Sequence, residues 1–104
     1  MTPLYFYLEG VFRMEERKFR ELAITSVIDY FNEQSDSTDK NGTIDEKNVF
    51  VVWECKILQN NKALLSTNIS DGMYYEVTYN GDKQEIYLDA YKKWKNKCIK
   101  VENI

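Results

Sequence analysis

The spacing of apolar residues changes between Gln34 and Val49, from a helical repeat to an alternation of two, and that switch restricts the chain to a mixed α and β fold. From Met14 to about Gln34, Phe19, Leu22, Ala23, Val27, Tyr30 and Phe31 recur at intervals of three and four. Glu16, Arg17, Arg20, Glu21 and Glu33 take the other faces. The spacing predicts an amphipathic helix. It runs out in Ser35-Asp36-Ser37-Thr38-Asp39-Lys40-Asn41-Gly42, a polar loop with nothing apolar to bury. A Thr43-x-x-Glu46 capping box is expected to start one short turn before Val49.

From Val49 to Leu58 the alternation puts Val49, Val51, Trp53, Cys55 and Ile57 on one side of a long strand. Gln59 to Lys62 reads as a turn, Ala63 to Ile69 as a second strand, Ser70-Asp71-Gly72 as a turn, and Met73 to Tyr79 as a third strand. Asn80-Gly81 signals a type I′ hairpin, whose two central residues need positive φ, and Lys83 to Leu88 returns as a fourth strand. Asp89 is placed to cap a closing helix in which Leu88, Tyr91, Trp94 and Cys98 share a face. The expected fold class is α+β: an N-terminal amphipathic helix, a four-stranded antiparallel meander sheet and a C-terminal helix, forming a two-layer sandwich with both helices on one face.

In that arrangement Val49, Val51, Trp53, Cys55, Ala63, Leu65, Met73, Tyr75, Val77, Ile86 and Leu88 meet the helices. Phe50, Val52, Leu64, Tyr74 and Tyr87 lie on the other face among Glu54, Lys56, Glu76 and Glu85. Aromatic side chains among charges, on a face no remaining element covers, read either as a protein-binding surface or as ordinary β-formers on a half-wet sheet or homodimer contact.

A chain of 104 residues has enough surface to bury one core, and residues 14–104 are assigned to a single domain. Residues 1–13 form an N-terminal extension, an added strand or a binding arm. They are apolar, but too short to span a bilayer and without a basic leading region, so no membrane role is expected. Met14 opens a polar run and follows Glu9-Gly10, codons for which are purine-rich as in a ribosome-binding sequence, so it is a second candidate start; intact mass from the native source distinguishes the two.

The absence of histidine removes imidazole bases, His-paired nucleophiles and the common zinc sites. Cys55 and Cys98 are far apart with no neighbouring cysteine, which excludes a redox pair and a zinc knuckle and fits buried, reduced, cytosolic thiols. An EF-hand alignment on Gly42 places Asp39, Asn41 and Asp45 at ligand positions. It puts Ser37 and Asn48 where the first acid and the bidentate glutamate belong, so neither calcium nor another metal is expected. Glu76 and Glu85 are the one candidate carboxylate pair, facing each other across the third hairpin. With no glycine-rich phosphate loop and no pocket signature, the chain is read as a non-enzyme, without catalytic residues or cofactor.

The chain carries 14 basic and 17 acidic residues, a net charge of −3, which disfavours a nucleic-acid ligand. The charge is uneven: Lys92, Lys93, Lys95, Lys97 and Lys100 gather at the C-terminus. Beside the aromatics they leave a second reading open, an accessory protein binding single-stranded nucleic acid by base stacking.

The runs Val51-Val52-Trp53-Glu54-Cys55-Lys56-Ile57-Leu58-Gln59-Asn60-Asn61-Lys62-Ala63-Leu64-Leu65-Ser66-Thr67, Asp71-Gly72-Met73-Tyr74-Tyr75-Glu76, Thr78-Tyr79-Asn80-Gly81-Asp82-Lys83 and Asp89-Ala90-Tyr91-Lys92-Lys93 resemble a family of small, mostly uncharacterised proteins encoded by phages of Gram-positive cocci. The likeness covers about residue 14 to the end. Within that family the chain is similar to a staphylococcal phage inhibitor of the host replicative helicase loader. The resemblance implies a protein acting in the host bacterial cytoplasm. Its expected partner is the AAA+ ATPase domain of the loader, and it blocks loader self-assembly and ATP hydrolysis and so host DNA replication. It does not say which residues touch that partner. The expected contact residues are Phe50, Val52, Leu64, Tyr74, Glu76 and Tyr87, because interface energy concentrates in buried aromatic anchors.

Overall fold

A computed structural model describes residues 5–8, 11–35 and 42–102. Strands β1 (Tyr5–Leu8) and β2 (Val11–Met14) pair as an antiparallel hairpin that runs across the expected boundary at residue 14. Helix α1 (Glu16–Gln34) follows. A 3-10 turn (Glu46–Asn48) leads into β3 (Val49–Ile57), β4 (Asn60–Thr67), β5 (Met73–Asn80) and β6 (Glu85–Lys92), which form one open antiparallel sheet in the order β3-β4-β5-β6. The protein is α+β, with one helix against one sheet face.

Phe19, Ala23, Val27 and Phe31 are the buried positions of α1, each four residues from the last, so they form one narrow stripe along the helix. They pack on Ala63, Leu65, Tyr75 and Val77 from the two central strands, with Leu65 and Val77 fully buried. Burial of a side chain of this size contributes about 1.5–3 kcal/mol. Tyr30 meets Tyr75 edge-on, ring centroids 6.0 Å apart. The Asn32 amide donates to the Ile44 carbonyl at 3.1 Å and accepts from the Ile44 N–H at 2.8 Å. This pair imitates a strand bridge and pins the approach to β3 against the helix end. Residues 36–41 of the polar loop, and with them the EF-hand ligands Ser37, Asp39 and Asn41, lie outside the described residues.

The turn before β3 forms where expected, with a different cap. Asp45, not Thr43, is the N-cap: its carboxylate accepts from the Lys47 N–H, and Asn48 returns an acceptor to the Asp45 N–H, both at 2.9 Å.

Strand β3 departs from simple alternation at Val52. Val51 lies opposite Leu65 and Trp53 opposite Leu64, so Val52 is the extra residue of a β-bulge. A one-residue insertion reverses the facing of everything beyond it. Trp53 and Cys55, expected on the helix side, are therefore on the open side. Glu54 and Lys56 turn toward the helix instead, where Arg20 of α1 holds Glu54 through a 2.7 Å Nε bond and the Lys56 ammonium donates to the Met14 carbonyl at 3.1 Å.

The β3–β4 turn is tighter than expected, two residues long, with Leu58 in the left-handed region at φ 55°. The β5–β6 connection is wider. Asn80 pairs with Glu85, the loop spans Gly81 to Gln84, and the left-handed residue is Gln84 at φ 54°. The Asn80 side chain accepts from the N–H groups of Asp82 and Lys83, an Asx turn in place of the type I′ turn. Gly81 is required for space: a Cβ there would sit 2.3 Å from the Gln59 carbonyl oxygen.

The closing helix is absent. Residues 85–92 are strand, paired with β5 from Asn80↔Glu85 to Met73↔Lys92, and residues 93–102 carry no helix or strand. Two physical terms decide this. Pairing with β5 satisfies a full row of backbone groups and places Ile86, Leu88 and Ala90 on the helix side of the sheet. Beyond it, Lys92/Lys95, Lys93/Lys97 and Lys97/Lys100 are like-charge pairs at helical spacing, which oppose a helix.

Candidate protein-binding face

The face of the sheet turned away from α1 is built from three cross-strand rows, with the pairs Ile57 and Asn60, and Asn80 and Glu85, beyond them at the turn end of the sheet. Phe50, Ser66, Tyr74 and Tyr91 form the first; Trp53, Leu64, Glu76 and Asp89 the second, with Val52 beside Trp53 at the bulge; Cys55, Lys62, Thr78 and Tyr87 the third. All six residues expected from sequence to make contact are brought together. Phe50, Val52 and Tyr87 are 50%, 46% and 42% exposed, while Leu64, Tyr74 and Glu76 are half-buried among them.

Sequence reasoning missed Trp53, Cys55 and Tyr91. Trp53 and Tyr91 are exposed large side chains in the first two rows, and both reached this face by routes that alternation and helical spacing concealed. A signal for the first was present: Val49 to Trp53 is an unbroken apolar run, and such a run cannot alternate in facing with polarity. Cys55 and Cys98 are both exposed, correcting the expectation of buried thiols.

The electrostatics of the face are acidic. Glu76 lies directly opposite Asp89, a like-charge pair that costs stability, offset by Lys62, whose ammonium is 3.5 Å from the Glu76 carboxylate. Glu85 stands opposite Asn80, so the expected Glu76 and Glu85 pair is not formed. The Tyr87 hydroxyl donates to the Glu85 carboxylate, and that bond holds the phenol above its usual pKa, because ionisation would remove the donor and face the acid. Lys62 is the single base against Glu76, Glu85 and Asp89 among the described residues of the face.

A depression of about 340 Å³ opens beside the third row, lined by Cys55, Ile57, Asn60, Lys62, Thr78 and Asn80. Its lining is mostly apolar and amide, with one cation. Among the described residues no cluster of three or more His, Cys, Asp or Glu is arranged to hold a metal ion, and no helix is long and apolar enough to cross a membrane.

Residues 20–101, from the second turn of α1 through the exposed tail, match a family of unknown function, DUF6275. The chain belongs to the DUF6275 family. The match takes in all four strands of the sheet and begins after the β1–β2 hairpin, so the open face is built wholly from the DUF6275 region. No curated protein and no solved structure matches the chain.

Proposed function

We propose that this DUF6275 protein is a phage-encoded inhibitor that binds the AAA+ ATPase domain of a host bacterial helicase loader through its open sheet face. It acts in the host cytoplasm, blocks self-assembly and ATP hydrolysis by the loader, and thereby stops helicase loading and host DNA replication. The reading rests on the sequence resemblance, which covers about residue 14 to the end. The observation that carries it is the convergence of Phe50, Val52, Leu64, Tyr74, Glu76 and Tyr87 on one uncovered surface.

The chemistry asked of the inhibitor is binding alone. An AAA+ assembly completes each ATPase site with an arginine from the neighbouring subunit, which stabilises charge on the transferring phosphate. A protein seated on one subunit excludes that neighbour, and both assembly and hydrolysis are lost together. Aromatic anchors supply affinity, and the acids Glu76, Glu85 and Asp89 select a basic counterpart.

Titration calorimetry against a purified staphylococcal loader ATPase domain tests the reading. The intact protein is expected to bind and suppress ATPase activity, and Tyr74→Ala or Tyr87→Ala to weaken binding by more than about 1 kcal/mol with the helical signal intact. No binding by the intact protein rejects the loader; unchanged affinity in both variants rejects the face.

A second reading is favoured by Trp94, 95% exposed among lysines, a side chain suited to stacking on a base. In it the protein binds single-stranded nucleic acid. A salt series separates the two, since binding to phosphates collapses as salt rises while an aromatic-centred protein contact loses only part of its affinity.

A further inference from the structure

The C-terminal segment is exposed over its whole described length, residues 93–102, although it contains Trp94, Ile99 and Val101 at 95%, 73% and 66% exposure. Large apolar side chains placed this way on an isolated chain are the mark of an element whose partner is another molecule. The radius of gyration, 16.7 Å, exceeds the value of about 13 Å for a compact chain of this length. The root of the segment is fixed, because the Lys93 N–H donates to the Gly72 carbonyl at 2.7 Å and so directs the chain off the end of the sheet where β5 begins. Residues 93–102 are exposed throughout and do not lie over their own sheet. Ten extended residues reach about 33 Å, while a four-stranded sheet is about 19 Å wide, so the segment is long enough to cross one sheet face completely.

We infer that residues 93–102 form an arm that lies across the open sheet face of a second copy of this chain, which returns its own arm in a closed two-fold dimer. Charge selects this occupant. The arm carries Lys93, Lys95, Lys97 and Lys100 with one acid, Glu102, and the face carries Glu76, Glu85 and Asp89 with one base, Lys62. Each surface has the sign the other lacks. Apolar groups match as well: Trp94, Ile99 and Val101 on the arm meet Phe50, Trp53, Tyr87 and Tyr91, all half-exposed and uncovered by α1. Exchange of identical arms is self-complementary and closes without leaving a free surface for further addition.

The dimer does not depend on the identity of the target. Where the loader reading also holds, the arm masks the same face, and the target must displace it. The mass of the full-length chain in solution, by light scattering at micromolar concentration, is the first test, with twice the chain mass expected. Full-length Lys95→Glu/Lys97→Glu on the arm, or Glu76→Lys/Asp89→Lys on the face, should each raise the dimer dissociation constant at least about tenfold. The four changes combined should restore it. The far-ultraviolet helical signal of α1 certifies the fold of each variant. A monomeric wild-type chain, a dimer indifferent to the arm variant, or no rescue by the combined charge swap overturns the inference. These readouts use no loader, so failure of the dimer and failure of loader binding are seen separately.

Discussion

The two faces of the sheet are made of nearly the same residue types and meet opposite fates. On the covered side, Ala63, Leu65, Tyr75 and Val77 are at most 2% exposed. On the open side, Phe50, Val52, Trp53, Tyr87 and Tyr91 are between 42% and 53% exposed. Strand propensity does not separate them, because Val, Tyr, Phe and Trp suit a pleated surface on either side. What separates them is α1, whose stripe of Phe19, Ala23, Val27 and Phe31 covers one side only. The covered face holds the fold together, and the open face is available for binding.

The sharpest way to break this contrast is to truncate matched residues on the two sides. Leu65→Ala and Phe19→Ala are each expected to cost about 3–4 kcal/mol, since both leave a cavity in a closed core. Tyr87→Ala and Phe50→Ala are expected to cost under about 1 kcal/mol, as their side chains are already half in water. Urea titration monitored by helical signal checks all four. A large loss at Tyr87 would show that the open face is part of the core.

Deleting Val52 removes the extra residue of β3 and should return Trp53 and Cys55 to the helix side while expelling Glu54 and Lys56. The Arg20 contact to Glu54 is lost and a tryptophan is forced under α1, for an expected cost of about 2 kcal/mol. A thiol-reactive dye reads the change directly: both cysteines react at exposed-thiol rates in the native protein, and Cys55 becomes protected in the deletion.

A smaller effect is expected at Leu58, which holds a left-handed conformation in a two-residue turn. Leu58→Gly should raise stability by about 0.5–1 kcal/mol by relieving the Cβ clash, and Leu58→Val should lower it. The urea midpoint measures both.

The mildest effect is expected at Tyr75. Burial, with Asp71 and Tyr30 adding to it, pushes the Tyr75 phenol above its usual value. The raised value means that the folded state favours the protonated phenol. The stability it contributes is complete below pH of about 10 and is lost as pH rises through the folded-state value. Tyr75→Phe is therefore expected to flatten the alkaline limb of the urea midpoint. An identical alkaline limb in that variant would remove Tyr75 from the account.

Much of the architecture was legible in the sequence because it depends on local periodicity. The helix, which runs from Glu16 to Gln34 rather than from Met14, and the four strands in meander order follow from the spacing of Phe19, Ala23, Val27 and Phe31 and from alternation after Val49. The six expected contact residues also share a face, since five of them lie at register positions that alternation alone assigns. The misplacements have two sources. Trp53 and Cys55 depend on one inserted residue, which reverses facing without changing composition. Residues 89–92 fit a helix and a strand equally well, and only the presence of β5 alongside decides between them.

The sequence by itself determined the class of fold, the order of its elements and the absence of imidazole chemistry, because periodicity and residue inventory are properties of the chain alone. Which apolar face is covered, where the bulge reverses β3, and that residues 93–102 stand uncovered with Trp94 exposed were decided only in the tertiary structure. A strand records the face to which each side chain turns, but burial is a relation between two elements, and one helix can cover only one side of a sheet.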